Sequence, residues 1–333
     1  MLKTIQTVVG DIQSITLKNT YLEVEILSYG ASLFHLWVMD GDQKREVSVQ
    51  PDDIDEFLTS DFYYGKTVGR TAGRIFHPSY TIDDTEYLLD ERSYPSLLHG
   101  GEQGFSFKHF DFVEASHDMV KLKAISYADE GPYDGILTLF ATYQIKDQSL
   151  QISYEAHTTE TTLCNITNHV YLNLSKTSSI QDHVVHIYAH SYLNIDDQNK
   201  ILSIEDVKAP FDFNQGLYFK DALQLMEHTP FHGFDHTFIF DEKTPTQMKV
   251  SVENIDMELK TSYPSVVLYT HNKPAPHRLR GLDTNNNQHV AFTIETQYEP
   301  GGIQFKGLNQ AILEPHQQYF ETTTLTFNVK KTK

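Results

Sequence analysis

Residues able to move protons or hold a polar ligand recur where a strand or turn of this chain has no structural need of them. In HVAFTIETQYEP, Val290, Phe292 and Ile294 form one row of a strand, and Ala291, Thr293, Glu295 and Gln297 form the other. Glu295 therefore lies in mid-strand opposite the apolar row, either as plain surface or as the floor of a concave site. In CNITNHVYLNL the same alternation turns Cys164 and Ile166 to the core and gives Asn165, Thr167 and His169 the opposite face. Such a polar row suits the floor of a hydroxyl-rich ligand site, and equally an ordinary solvated face. His99 follows two leucines and precedes Gly100-Gly101, so an apolar strand runs into a turn that presents an imidazole. Arg70 and Arg74 stand in VGRTAGRI, where glycine permits tight turns and close approach of a ligand; a surface ion pair accounts for either arginine as well. In FHGFDHTFIF, His232, Asp235 and His236 invite a metal reading. No helix of the HExxH kind fixes their geometry, so the expectation is no metal, with Asp235 accepting hydrogen bonds from ligand hydroxyls.

The elements that must position these residues are short and alternating. Leu22, Val24 and Ile26 alternate with Tyr21, Glu23 and Glu25, the period of a half-buried strand. LTLFATYQI and LQISYEAHT read as a hairpin through Lys146-Asp147-Gln148-Ser149, and YTIDDTEYLL as another turning at Asp83-Asp84. Similar runs recur to the C-terminal TTTLTFNV, whereas only DDIDEFLTS and FKDALQLMEH carry helical patterns. Many strands, few short helices and no βαβ alternation predict an all-β protein, a large antiparallel β-sandwich. No repeat, low-complexity tract or linker divides the 333 residues, so residues 1–333 are expected to form a single domain.

Hydrophobic residues at 39% fill a sizeable core, and the aromatics are mostly Phe (20) and Tyr (19), which favour pleated surfaces. Lys and Arg number 26 against 45 Asp and Glu, a formal charge of −19 that repels phosphate backbones and anionic headgroups. Nucleic acid and membrane partners are therefore not expected. The single cysteine, Cys164, excludes an intrachain disulfide and reads as a small buried hydrophobe. The N-terminus has no apolar signal-peptide core, and no stretch approaches the roughly 20 apolar residues of a membrane span, so a cytoplasmic location is expected.

Taken together, VGRTAGRI, LLHGG followed by GF, ITNHVYLNL, GFDHTF and IETQYEP occur in the order and rough spacing of the aldose 1-epimerase (galactose mutarotase) family. DEGPYDG, APFDF and ILEPHQQY resemble weaker family pieces between them, so the resemblance runs over nearly the whole chain. It implies an isomerase that interconverts the α and β anomers of a free hexose, on a large β-sandwich with an open cleft on one sheet. It implies Glu295 as base, His169 as acid, His99 near the ring oxygen, and Arg74 and Asp235 as holders of sugar hydroxyls. The chemistry needs no cofactor: an ionised Glu295 takes the C1 hydroxyl proton while a protonated His169, its charge favoured by a nearby carboxylate, protonates O5.

The chain departs from the family at Gly73, where Asn is frequent, at Val267, where Gln is frequent, and at Phe110, where Trp is common. Each departure alters an expected sugar contact and leaves the acid–base pair alone. A sugar-phosphate epimerase of the same superfamily is the main rival, with Arg70, Lys66 and Lys108 as its phosphate-binding cations. A non-catalytic carbohydrate-binding paralogue has no use for both Glu295 and His169. A glycosidase working through Asp235 and Glu295 has less use for the histidines.

Overall fold

The computed structural model describes residues 2–241, 244–279, 282 and 287–330. Alternation is realised almost throughout as antiparallel sheet. The strand Leu137–Lys146 pairs with Ser149–Thr158 from Leu137↔Thr158 to Lys146↔Ser149, so Asp147 and Gln148 alone make the turn. Asp147 and Asp83, the latter in the Ser79–Ile82/Thr85–Leu88 hairpin, both adopt φ of 50°. Aspartate tolerates this left-handed conformation better than most residues, which is why both turns were visible in the sequence.

Two large sheets pack face to face. A nine-stranded sheet runs from Asp111–Ala115 through Leu137–Lys146, Ser149–Thr158 and Tyr319–Val329 to Leu217–Tyr218. Against it lies a six-stranded sheet in the order Tyr171–Leu172, Phe292–Gln297, Ser265–Tyr269, Asp235–Phe240, Ala189–Ile195, Ile201–Asp206. Ile152, Tyr154 and Leu325 of the first meet Phe292, Ile294, Val266 and Phe238 of the second in one continuous core. A five-stranded sheet of residues 3–46 adds Val24, Ile26 and Leu36 to that core. The two expected helices are present as Ile54–Thr59, capped by the Asp53 carboxylate, and Phe219–Met226. No helix among the described residues is long and apolar enough to cross a membrane.

One expected strand is not continuous. Across 162–172 the chain forms three two-residue pieces with different partners: Thr162–Leu163 with Ile312–Leu313, Thr167–Asn168 with Thr67–Val68, and Tyr171–Leu172 with Phe292–Gln297. The segment thus passes between sheets rather than along one. Cys164 and Ile166 are buried as expected, but Asn165 and Thr167 are buried too and form no solvated or ligand-facing row. Asn165 clamps the Tyr298 backbone from both sides, donating to its carbonyl at 2.9 Å and accepting from its amide at 3.0 Å. Only His169 of that row reaches the cavity described below.

Candidate active site

The face of the six-stranded sheet turned away from the core floors a cavity of about 440 Å³, a size usual for small-molecule sites. Strand register sets its floor. Thr237 pairs with Val267 and Val267 with Glu295, while Asp235 pairs with Tyr269 and Tyr269 with Thr293, which in turn pairs with Tyr171. These residues share one face because side chains alternate along a strand, and they form two adjacent rows. Glu295, His169, His99, Arg74 and Asp235, distant in sequence, all line this cavity.

Arg74 and His99 arrive together from outside the sheet. Arg74–Phe76 pairs with Ser96–Leu98, placing Leu98 opposite Arg74. Just beyond, the His99 amide donates to the Gly73 carbonyl at 2.9 Å, and the Gly73 amide donates to His99 Nδ1 at 3.2 Å. An amide can only donate, so Nδ1 is unprotonated and the imidazole proton sits on Nε2. His99 is therefore a neutral hydrogen-bond donor, and burial holds its pKa well below the usual imidazole range, helped by the neighbouring His169 and Arg74. The Arg74 guanidinium has no hydrogen bond or ion pair among the described residues, which leaves its donors for a ligand.

His169 Nε2 stands 3.3 Å from Glu295 Oε1, and both side chains are almost wholly buried. Oε1 also accepts from the Thr293 hydroxyl at 3.3 Å, so Oε2 is the oxygen available to a ligand. Burial, reinforced by the Asp235 charge, raises Glu295 to about 8. Burial likewise lowers His169 to about 4, outweighing the Asp235 carboxylate that favours the imidazolium. This corrects the expected ionisation. Before ligand enters, the dry pair is a neutral acid beside a neutral imidazole, because neither charge is adequately solvated. The pair carries as many protons in this form as a carboxylate beside an imidazolium would, and one transfer across 3.3 Å converts one into the other.

Asp235 is steered by Asn199, whose side-chain amide donates to Asp235 Oδ2. Asn199 sits in the left-handed region at the tip of the hairpin joining Ala189–Ile195 to Ile201–Asp206, and no signal in NIDDQNKI marks it. Tyr63, Tyr171 and Tyr269 also line the cavity. Tyr269 and Tyr171 were accessible from alternation once their strands were paired, but single strands do not reveal pairing.

The metal reading of FHGFDH does not survive the geometry. His236 is buried among Phe211, Phe231 and Phe234 on the sheet face opposite Asp235, and His232 contacts the Glu227 carbonyl, so the three residues of FHGFDH do not converge. Among the described residues, His99, His169 and Glu295 bring ligand-type atoms within 4.8 Å of one another. A metal-bound imidazole donates its other N–H to an acceptor, whereas His99 Nδ1 faces the N–H of Gly73. That nitrogen is already occupied and the other carries the proton, so the trio suits proton transfer better than ligation.

Comparisons with known proteins bear on the family and the fold. The aldose 1-epimerase family pattern matches residues 13–326. The chain belongs to the aldose 1-epimerase family. Family members are isomerases acting on carbohydrates. A galactose mutarotase of Rattus norvegicus is 30% identical over 96% of this chain and 95% of its own, and an aldose 1-epimerase of Haemophilus influenzae is 27% identical over 89% and 92%. Among solved structures, an aldose epimerase homologue from C. elegans superposes with a TM-score of 0.86 at 25% identity, covering 95% of this chain and 99% of that one. The large mutarotase-like β-sandwich is thus the fold.

The three departures from the family pattern differ in consequence. Gly73 lines the cavity at φ of 75°, and a Cβ there would lie 2.2 Å from Pro300 Cβ, so this chain's backbone excludes a side chain. Val267 also lines the cavity, beside Glu295, and offers no hydrogen bond. Phe110, by contrast, is packed in the core and does not line the cavity. The cations named for a phosphate lie elsewhere as well. Arg70 donates to Ser126, Asp134, Thr162 and Gly135, tying the 126–135 turn to the body of the fold. Lys66 is fully buried on the Leu58 carbonyl, and Lys108 is paired with Glu130. None of the three lines the cavity.

Proposed function

We propose that this chain interconverts the α and β anomers of a free aldose, with Glu295 and His169 exchanging the protons that open and close the pyranose ring. The observation that carries the reading is the 3.3 Å approach of His169 Nε2 to Glu295 Oε1 on a cavity floor flanked by His99 and Arg74. Ring opening removes the proton from the C1 hydroxyl, delivers one to O5, and breaks the C1–O5 bond to give the aldehyde. Rotation about C1–C2 presents the other carbonyl face, and reclosure returns both protons. A carboxylate and an imidazolium serve the two sites in one direction and exchange roles in the other. Arg74 supplies the positive field that favours the carboxylate form of Glu295 once sugar hydroxyls replace the missing solvation. Asp235 Oδ1, left free by Asn199, accepts from a sugar hydroxyl. Relatives named galactose mutarotase and aldose 1-epimerase support this substrate class.

The test is polarimetry or proton NMR of freshly dissolved α-galactose and α-glucose. Rapid equilibration is expected, whereas binding measured by calorimetry without acceleration would make the chain a carbohydrate binder. The pH profile follows from the pair. Below the pKa of His169, about 4, both groups are protonated and no base remains. Above that of Glu295, about 8, both are deprotonated and no acid remains. These are macroscopic limits of the pair as a unit. We expect kcat/KM, corrected for buffer catalysis, to be flat between the two limits and to fall tenfold per pH unit outside them. A fall centred near 6.5 would mean that the imidazole is hydrated.

A further inference from the structure

Tyr63 lies in the loop between the helix Ile54–Thr59 and the strand Thr67–Val68, in the left-handed region at φ of 55°. That backbone is strained for a bulky aromatic residue and persists only where the surroundings over-determine it. The surroundings here are the two active-site imidazoles. The Tyr63 ring meets His99 edge-on with centroids 4.8 Å apart and leans on His169 at 5.9 Å, while Phe107 backs it at 5.7 Å. The imidazoles themselves are nearly perpendicular and 5.3 Å apart, so a single phenol ring spans both. It also forms part of the cavity wall with Arg74 and Asp235.

We infer that Tyr63 is a positioning residue for the proton-exchanging pair, its ring excluding water from His99 and His169 and holding their perpendicular arrangement. This goes beyond the assignment of the acid and base, and it rests on the reading of the site as a proton-exchanging one. The groups facing His169 are Glu295, Asp235, Lys66, His99 and Tyr171 in addition to Tyr63. The Asp235 carboxylate favours a second proton on the ring, while Lys66 and burial oppose it, with burial the largest influence. Burial is the influence that a tyrosine wall supplies. A ring that merely filled space could be shortened with a loss of stability and no change in the imidazole. A ring that keeps water out could not.

The test compares Tyr63→Phe, which keeps the ring, with Tyr63→Asn, which removes it but tolerates the left-handed backbone. Histidine ring protons are titrated by NMR in each folded protein. In wild type and Tyr63→Phe, His169 is expected to titrate at about 4. In Tyr63→Asn it is expected about one unit or more higher as water reaches the ring, with kcat/KM for anomer exchange down about tenfold or more. Should Tyr63→Asn not fold, Tyr63→Gly, unstrained at this φ, takes its place. An unmoved His169 titration in either folded variant overturns the inference. The titration needs no turnover, so an inactive wild type would end the functional reading while the imidazole shift still decided the role of Tyr63.

Discussion

Glu295→Gln is expected to slow enzymatic anomer exchange at least about 100-fold while making the protein more stable at neutral and alkaline pH. The first part follows from what glutamine lacks. It matches glutamate in shape and still accepts from the Thr293 hydroxyl through its carbonyl, but it cannot take up or release a proton. General acid–base groups typically contribute about 10²–10⁴ in rate. The second part follows from linkage. Burial raises Glu295 from 4.5 to about 8 in the fold. The folded state therefore binds that proton more tightly than the unfolded chain, and its contribution to stability is complete below 4.5 and lost as pH rises through about 8. Each pH unit of that window is worth on the order of 1.4 kcal/mol, and glutamine has no such dependence. The difference in Tm between variant and wild type should accordingly be small near pH 4.5, grow with pH and level off above about 8. Unchanged exchange rates would remove Glu295 from the mechanism, and a Tm difference independent of pH would mean that the carboxyl is solvated. Slowed exchange together with a stability gain that grows with pH is the signature of a residue kept for activity at the expense of stability.

The features legible in the sequence are those that need only one strand to be read. Alternation placed Glu295 and Gln297 on the face opposite Ile294, and both line the cavity. The same alternation failed across 162–172, where the backbone changes partner every few residues and period two no longer reports a common face. Arg70 and Arg74 illustrate a second limit. Four residues apart in a glycine-broken stretch, they look equivalent, yet one is consumed by hydrogen bonds to the 126–135 turn and the other faces the cavity with no ion pair among the described residues. The difference lies in partners more than 50 residues away (Ser126 and Asp134), which local pattern cannot supply. Ionisation was hidden for a related reason. Nearby carboxylates argued for a charged His169, but the depth of the pair, which reverses that balance, emerges only when the two sheets and the Tyr63 loop close around it. Ordered family-like motifs nevertheless brought together five cavity residues that no single-segment argument could connect.

His169→Gln should fall as far as Glu295→Gln, and the double variant should fall little further. The argument rests on the proton count of the pair. A carboxyl without its imidazole can still accept the C1 proton, but O5 then has no positioned acid to protonate it. An imidazole without its carboxyl meets the converse difficulty at C1. Each single substitution thus disables the same two-proton exchange, so the losses overlap instead of multiplying, as happens when residues act as a unit. We expect each single variant to lose about 10²–10⁴ in kcat/KM, and the double variant to lie within about tenfold of the weaker single. The pH profiles carry an independent check. Residual activity in His169→Gln should lack the limb near 4 and instead rise with pH to a plateau above about 8, as Glu295 deprotonates to act as a lone base. Rate losses that multiply would show two groups acting at separate steps, and a limb near 4 surviving in His169→Gln would assign that titration to another group, for which His99 is the nearest imidazole.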